Sequence, residues 1–413
     1  MTKIGISYGN DRDAYSLGRS SAQAALQSGG IDRADLLLAF GSGSLDLDLF
    51  YQGLRSVVGA STPIVGGSGL GVITQDHLSY EGFPAAVAAI QSDSISFAVT
   101  SAGDLDRGEA ATGRKMVDDL PLCAADKLLL LFYDSIRVPA SKEAPPILNS
   151  SAPLLDGVEG TLAGHVPVFG AGLVGGYDFG PTRQFCGFKS ATQQAVGCLM
   201  SGDFSVYQTT MHGCIPLNGV YHKITRMQGN TIFELDGMPV VPMIDQLFGS
   251  QEWQQERPII SNLTIGINYG ERYGAPLEGY YVNRLITGVS PDGTGISMFE
   301  SDLEPGQEIQ FLIRDNRMMQ KSVRENTPAI LERVKSDGRV PLLALYINCG
   351  GRTAAYSVTD EEEAAEVQRV MKEAGVPLLG FYSGVEIAPM LGRSRGLDWT
   401  GVLIVLAVDS THG

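Results

Sequence analysis

One short pattern occurs three times in this chain, and it limits what the chain can fold into. It reads Thr62-Pro63-Ile64-Val65-Gly66-Gly67-Ser68-Gly69, then Val166-Pro167-Val168-Phe169-Gly170-Ala171-Gly172-Leu173, then Val376-Pro377-Leu378-Leu379-Gly380-Phe381-Tyr382-Ser383-Gly384. Each copy has a β-branched residue, a proline, two apolar residues and a glycine, with more glycine following. Proline is tolerated at the first residue of a strand, where its missing N–H is not needed. Glycine permits a positive φ and close backbone approach where the strand ends. The pattern therefore predicts a short buried strand that breaks into a tight loop.

Each copy also has an apolar run upstream: 36–40, 128–132 and 342–346. The gap between run and copy holds one helix. Strand, helix, strand is the βαβ unit, whose crossover needs about a dozen residues or more. Three such units predict an α/β protein, with mixed sheets built from βαβ-like repeats and helices packed on them. Ligands of open α/β sheets sit outside the carboxyl ends of the strands. The three glycine loops occupy that position, which makes Gly67, Ser68, Gly172 and the 382–384 segment candidates for a binding surface.

Composition narrows the function classes. The net charge is −16, and such a surface repels phosphate backbones, which argues against nucleic-acid binding. Met1-Thr2-Lys3-Ile4-Gly5-Ile6 has no apolar signal core. The longest apolar runs fall far short of the roughly 20 residues of a membrane helix. Cys123, Cys186, Cys198, Cys214 and Cys349 are scattered and odd in number, with no CxxC pair. That usage speaks against a zinc site or a disulfide framework and fits reduced thiols in the cytoplasm.

Read in order, Lys3–Ser7 is a first strand and Asp13–Gln27 a helix ended by Gly29-Gly30. Leu47, Phe50, Leu54 and Val57 are spaced as one buried helical face. Residues 85–91 read as a helix, 95–100 as a strand and 107–119 as an exposed helix. Residues 198–209 and 222–235 read as antiparallel strands, the second turned at Gly229-Asn230. The character changes at 239–249, which places a boundary between domains 1–238 and 239–413. Residues 259–268, 279–288 and 295–301 read as strands of a mixed sheet. In the third unit a helix starts at Asp360, with Glu361, Glu362 and Glu363 in its first turn complementing the macrodipole. Residues 402–408 form a last strand.

The third unit carries a resemblance. Cys349-Gly350-Gly351-Arg352, followed by Val376-Pro377-Leu378-Leu379-Gly380-Phe381-Tyr382-Ser383-Gly384-Val385-Glu386, resembles the C-terminal half of the FIST sensory domain. Residues from about 33 to 236 are similar to its N-terminal half, through Pro63–Gly71, the second glycine loop, Gly213–Gly219 and Ile224–Pro239. Val385 separates a glycine and a glutamate that stand side by side in most of the family. The first loop also lacks the family's threonine. The resemblance implies a bacterial or archaeal signal-transduction protein that binds a small ligand, an amino acid by suggestion. It acts through a separate partner, no kinase or other output domain being visible here. Some relatives are haem-binding nitric oxide sensors that work with histidine kinases.

Several residues then become site candidates, each with a plainer alternative. Arg352 presents a planar fork suited to a carboxylate, and Glu386 would receive an amino group, so the two would clamp an amino acid. The plainer roles are an ion pair of Arg352 with Glu386 or Asp360, and a solvated Glu386. Tyr382 would stack or donate a hydrogen bond, or sit in the core. Ser383 and Gly384 complete the loop. Cys349 near Arg352 would be a ligand-contacting or nucleophilic thiolate, or a small buried hydrophobe. Among His77, His165, His212, His222 and His412 no HxxH or HExxH pair occurs, which disfavours a zinc hydrolase. Haem needs only one proximal histidine, and His212, beside Gly213 and Cys214, is the first choice. Four readings therefore remain: a non-catalytic small-ligand sensor, a haem sensor, an enzyme using Cys349, and an interaction scaffold.

Overall fold

The computed structural model describes residues 2–141, 146–162, 164, 166–255 and 262–410. The three predicted βαβ units are present. Their parallel pairs are Leu36–Ser42 with Ile64–Gly69, Asp126–Asp134 with Val168–Leu173, and Arg339–Cys349 with Leu378–Ser383. Each pair is the centre of its own six-stranded mixed sheet.

The three sheets share one plan. On one side of each parallel pair lie two antiparallel strands: Pro84–Ser92 then Thr2–Asn10, Ala195–Gly202 then Ile95–Ala102, and Gly401–Asp409 then Ser205–Met211. On the other side lies a hairpin. The hairpin that follows the first glycine loop, 72–79, completes the third sheet. The one after the second loop, 184–191, completes the first sheet, and the one after the third loop, 385–397, completes the second. The three units thus exchange hairpins in a ring, and two of the sheets combine strands from both sides of residue 239.

Strand periodicity explains how the sheets pack. Side chains alternate between faces, and here both faces are buried. Leu36, Leu38, Phe40, Leu128, Leu130, Phe132, Leu343, Leu345 and Ile347 point into one core common to all three sheets. Phe40 stacks on Phe381 at 3.8 Å between ring centroids and meets Phe132 edge-on at 5.3 Å. The alternate residues face helices: Leu37 and Ala39 face Ala14–Gly29 and Leu47–Val58. Leu129 and Leu131 face Glu109–Asp118 and Ser151–Leu162. Ala344 and Tyr346 face Asn316–Ser336 and Ala364–Glu373.

A fourth sheet closes on itself. Glu308–Arg314, His222–Gln228, Thr231–Leu235, Ile296–Met298, Tyr281–Val289 and Leu263–Asn268 are joined in a ring by antiparallel pairs. This small barrel is filled by Ile224, Ile265, Ile286 and Phe311, with Val240 and Ile244 of helix Val240–Phe248 packed on the same core.

Several expectations need correction. The segment expected as a helix at 85–91 is the strand Pro84–Ser92, because a position between two strands overrides alanine's helix preference. The strands at 263–298 belong to an all-antiparallel barrel rather than to a mixed sheet. The segment 198–209 is two strands in different sheets. The helix expected from Asp360 begins at Ala364. The hairpin at Gly229-Asn230 forms, with Gly229 at φ 57°.

Candidate functional site

The first glycine loop passes into Leu70, the second into Val174 and the third through Ser383 into Gly384. Leu70, Val174 and Gly384 each stand seven residues after the proline that opens their strand. These equivalent positions converge on one cavity of about 50 Å³, which Cys349, Gly350 and Gly351 also line. Leu285 and Phe299, from the barrel, complete a mainly apolar wall. Tyr177 and Tyr356, stacked at 5.2 Å between centroids, stand on its rim. Tyr177 is partly exposed and donates its hydroxyl to the Gly350 carbonyl at 2.7 Å.

Two glycines here are required by close approach. A Cβ on Gly384 would lie 2.7 Å from Val174 Cγ1, and one on Gly351 would lie 2.2 Å from the Trp399 ring. Trp399 has φ 56° and is buried in the tight turn between Arg393–Leu397 and Gly401–Asp409. A large residue in this conformation carries strain, which concentrates at functional sites.

Behind the apolar wall lies a polar floor. Ser383 Oγ is 2.8 Å from Glu386 Oε1 and 3.2 Å from the Asn348 carbonyl. Glu386 Oε2 accepts from the Thr400 amide. Burial pushes the Glu386 carboxyl well above its ordinary range, and the charge of Asp398 adds to this. Asp398 Oδ2 accepts from the Leu285 amide at 2.7 Å. Burial, with Glu300 and Asp302 nearby, pushes Asp398 up to about 7 against the pull of Arg284. Burial, followed by Glu386, also pushes the Cys349 thiol far up. A thiol so placed keeps its proton at neutral pH, where a nucleophile needs a thiolate.

Arg352 and Glu386 are close neighbours on either side of the Trp399–Thr400 backbone, both fully buried. Arg352 does not line the cavity. Its Nε donates to Glu363 at 3.1 Å and to Asn348 at 3.0 Å, and its Nη1 to the His212 and Trp399 carbonyls. Burial alone would lower Arg352, but Glu363 outweighs burial and holds the guanidinium charged. The partner is therefore Glu363, which also accepts from Tyr346 and Asn348. That role replaces the helix-dipole role expected for this residue.

Of the other sequence candidates, Tyr382 turns away from the cavity and donates to Glu362. Gly67 and Ser68 hold the 184–191 hairpin: the Ser68 amide donates to the Arg183 carbonyl, and Ser68 Oγ accepts from the Arg183 amide. The Gly172 carbonyl accepts from the Gly384 amide. His212 is buried with both ring nitrogens engaged, Nδ1 accepting from the Cys214 amide and Nε2 facing the Glu278 carbonyl at 2.9 Å. Burial lowers its pKa despite Glu278. An axial ligand needs a free ring nitrogen, so His212 does not fit haem as it stands. His165 lies outside the described residues.

Sequence reasoning missed Tyr177, Tyr356, Glu363, Asp398 and Trp399. The seven-residue offset from each proline was a readable signal for Leu70 and Val174. No comparable signal marks the Asp398-Trp399 turn.

Fold and cavity together define a class: an interlocked α/β protein whose three repeats meet at an internal pocket. The chain matches the FIST N domain over residues 35–238 and the FIST C domain over residues 243–389, and it belongs to the FIST family of signal-transduction sensory domains. An uncharacterized protein of Mycobacterium bovis is 29% identical over 243 residues, covering 59% of this chain and 61% of the relative. A second, of Mycobacterium tuberculosis, is 28% identical over 229 residues, covering 55% and 57%. The chain thus spans about three-fifths of the length of these relatives. Among solved structures, a cyanuric acid hydrolase from A. caulinodans aligns over 99% of this chain and 100% of its own, at 11% identity and TM-score 0.34. A chorismatase aligns over 99% of both chains at the same identity and score. Likeness at that level does not bear on function. Among the described residues no helix is long and apolar enough to cross a membrane.

Proposed function

We propose that this protein is a non-catalytic sensor that binds one small metabolite, of the amino-acid class, in the cavity where the three repeats meet. The observation that carries the reading is the convergence of Leu70, Val174 and Gly384, three equivalent positions from distant parts of the sequence, on that cavity. The lining selects a ligand with a compact apolar body, and Ser383 with Glu386 behind it supplies the polar end. The protonated Cys349 thiol serves as lining rather than as nucleophile. The protein would work in the cytoplasm and pass its signal to a separate protein such as a histidine kinase.

A thermal-shift screen of amino acids and small metabolites tests this. At a hundredfold excess over Kd a ligand adds about 2.7 kcal/mol of stability, which a melting curve resolves. Cys349→Met adds volume to the lining and should abolish the shift while leaving the unliganded melting temperature near that of the wild type. An empty screen would remove the proposal, as would a hit whose shift survives Cys349→Met.

A further inference from the structure

The barrel is an insertion. In the first unit the edge strand Thr2–Asn10 passes almost at once into helix Ala14–Gly29, and in the second Ile95–Ala102 passes through one 3₁₀ turn into helix Glu109–Asp118. In the third, residues 212–315 stand between Ser205–Met211 and helix Asn316–Ser336 and hold the barrel. Nine of the nineteen large apolar side chains exposed among the described residues lie on this insertion, which is about a quarter of the chain. Four of the nine, Tyr269, Tyr273, Leu277 and Tyr280, fall within the one segment 269–280, and Tyr273 is 90% exposed. An exposed apolar cluster marks a contact site, and tyrosine with arginine is the composition of a protein interface.

The segment forms a groove of about 540 Å³ lined by Tyr269, Glu271, Leu277 and Tyr280. Its shape is fixed from within. The Tyr269 amide donates to the Tyr280 carbonyl at 2.9 Å, the Gly274 amide to the Glu271 carbonyl at 3.1 Å, and the Tyr221 hydroxyl to the Arg272 carbonyl at 2.9 Å. Gly270 backs on to the Tyr280 ring, where a Cβ would lie 2.5 Å from a ring carbon. Arginines cover the neighbouring rings. Arg272 lies 4.4 Å from the centroid of Tyr221 and 5.7 Å from that of Tyr273. Arg395 lies 4.2 Å from the centroid of Tyr269 and donates to its hydroxyl at 3.1 Å. Among the described residues Tyr280 has no guanidinium over its ring and Glu271 makes no ion pair, the adjacent Arg272 pairing with Glu308 instead. One aromatic face and one carboxylate of the groove are therefore unmatched, where every neighbouring tyrosine holds an arginine. The chain's charge of −16 also favours encounter with basic partners.

We propose that this groove docks an arginine-bearing segment of another protein, with the partner's guanidinium over Tyr280 and against the Glu271 carboxylate. A planar guanidinium stacks on an aromatic face while it pairs with a carboxylate, and its aliphatic stem suits an apolar wall such as Leu277. The role of the groove as the outlet of a signal rests on the sensory reading above. Two connections join it to the cavity. Strand Tyr281–Val289 continues from Tyr280 and reaches Leu285 of the cavity wall after roughly 16 Å. Arg395 ties Tyr269 to the hairpin 385–397, which leaves the cavity at Gly384.

The test uses the full chain and a displayed library of random dodecapeptides, the best binders then being made as labelled peptides and titrated by fluorescence anisotropy. Selected sequences should share an arginine. Changing it to alanine should weaken binding at least tenfold, and to lysine at least threefold. Glu271→Gln and Tyr280→Leu should each weaken binding at least fivefold, while Phe188→Ser, at an exposed position of the first sheet, should change nothing. A library without binders, binders without a shared arginine, or binding indifferent to Glu271→Gln and Tyr280→Leu overturns the proposal. Cys349→Met should leave peptide binding unchanged, so loss of the groove leaves the metabolite sensor standing, and an empty metabolite screen leaves the docking site standing. A metabolite that passes the Cys349→Met test should shift peptide affinity at least threefold, and an unchanged affinity overturns the link between groove and cavity.

Discussion

Replacing Glu363 by Gln isolates the interaction that ties the Gly350–Arg352 turn to the start of helix Ala364–Glu373. Both Glu363 and Arg352 are wholly buried, and Glu363 Oε1 is 3.1 Å from Arg352 Nε. Two unit charges at that distance attract by roughly 5 kcal/mol at an effective dielectric constant of about 20. Gln keeps the shape and one acceptor oxygen for Asn348 and Tyr346, so the main loss is the charge. Removing one partner of a buried pair leaves the other uncompensated and costs about 3–5 kcal/mol. The expected loss is therefore about 4 kcal/mol, read from urea denaturation followed by tryptophan fluorescence. Trp399 is a direct reporter, because its carbonyl accepts from Arg352. Arg352→Met should cost a similar amount, and the double variant much less than the sum, since the second change removes the charge the first exposed. The exposed Arg369–Glu373 pair serves as a control, whose loss should not be measurable. A loss below about 1 kcal/mol for Glu363→Gln, or strict additivity in the double variant, would refute this account of the pair.

Two further outcomes follow from the buried carboxyls and thiol. Asp398 is raised in the fold from 3.8 to about 7, so the folded chain holds a proton that the unfolded chain has lost, and stability falls as pH rises between these values. Glu386 and Glu300 act in the same direction; Asp398→Asn should therefore gain stability relative to wild type at pH 8 compared with pH 5 in paired urea titrations, and a pH-independent difference would contradict the sign. Iodoacetamide at pH 8 should modify exposed Cys123 first and leave Cys349 unmodified until the chain unfolds, as followed by peptide mass spectrometry; rapid modification of native Cys349 would restore the thiolate reading.

The parts of the fold that were legible in the sequence rest on local pattern. The runs at 36–40, 128–132 and 342–346 announce strands because they are apolar on both faces, and the proline-to-glycine pattern marks where each partner strand starts and stops. Gly229-Asn230 announces its hairpin by backbone chemistry alone. What could not be read depends on contacts between distant segments. Nothing local in Ala85–Gln91 says that it lies between two strands. Nothing in Glu361-Glu362-Glu363 distinguishes the one carboxylate turned inward to Arg352 from a solvated first turn. The helix Asn316–Ser336 has a largely polar sequence with Pro328 inside it, and its sparse apolar stripe, Val323, Ile330 and Val334, packs against the third sheet. Asp398 and Trp399 become site residues only when the 385–397 hairpin joins the second sheet and brings their turn under the cavity.

The exchange of hairpins suggests how occupancy of the cavity would be felt elsewhere. Leu70, Val174 and Gly384 are the last residues of their own units before the chain leaves to complete a neighbouring sheet. A ligand touching all three therefore bears directly on the starts of hairpins 72–79 and 385–397, and on 184–191 through the connecting segment 175–183. No hinge is needed, because local opening of any hairpin removes an edge from a different unit, and binding free energy is spent against that opening. Amide exchange should accordingly slow in all three hairpins when a ligand that passes the Cys349→Met test is added, while the distant barrel strands at 222–235 keep their rates. Protection confined to 385–397 would mean that the cavity reports to the second sheet alone and that the ring of exchanges serves folding rather than signalling.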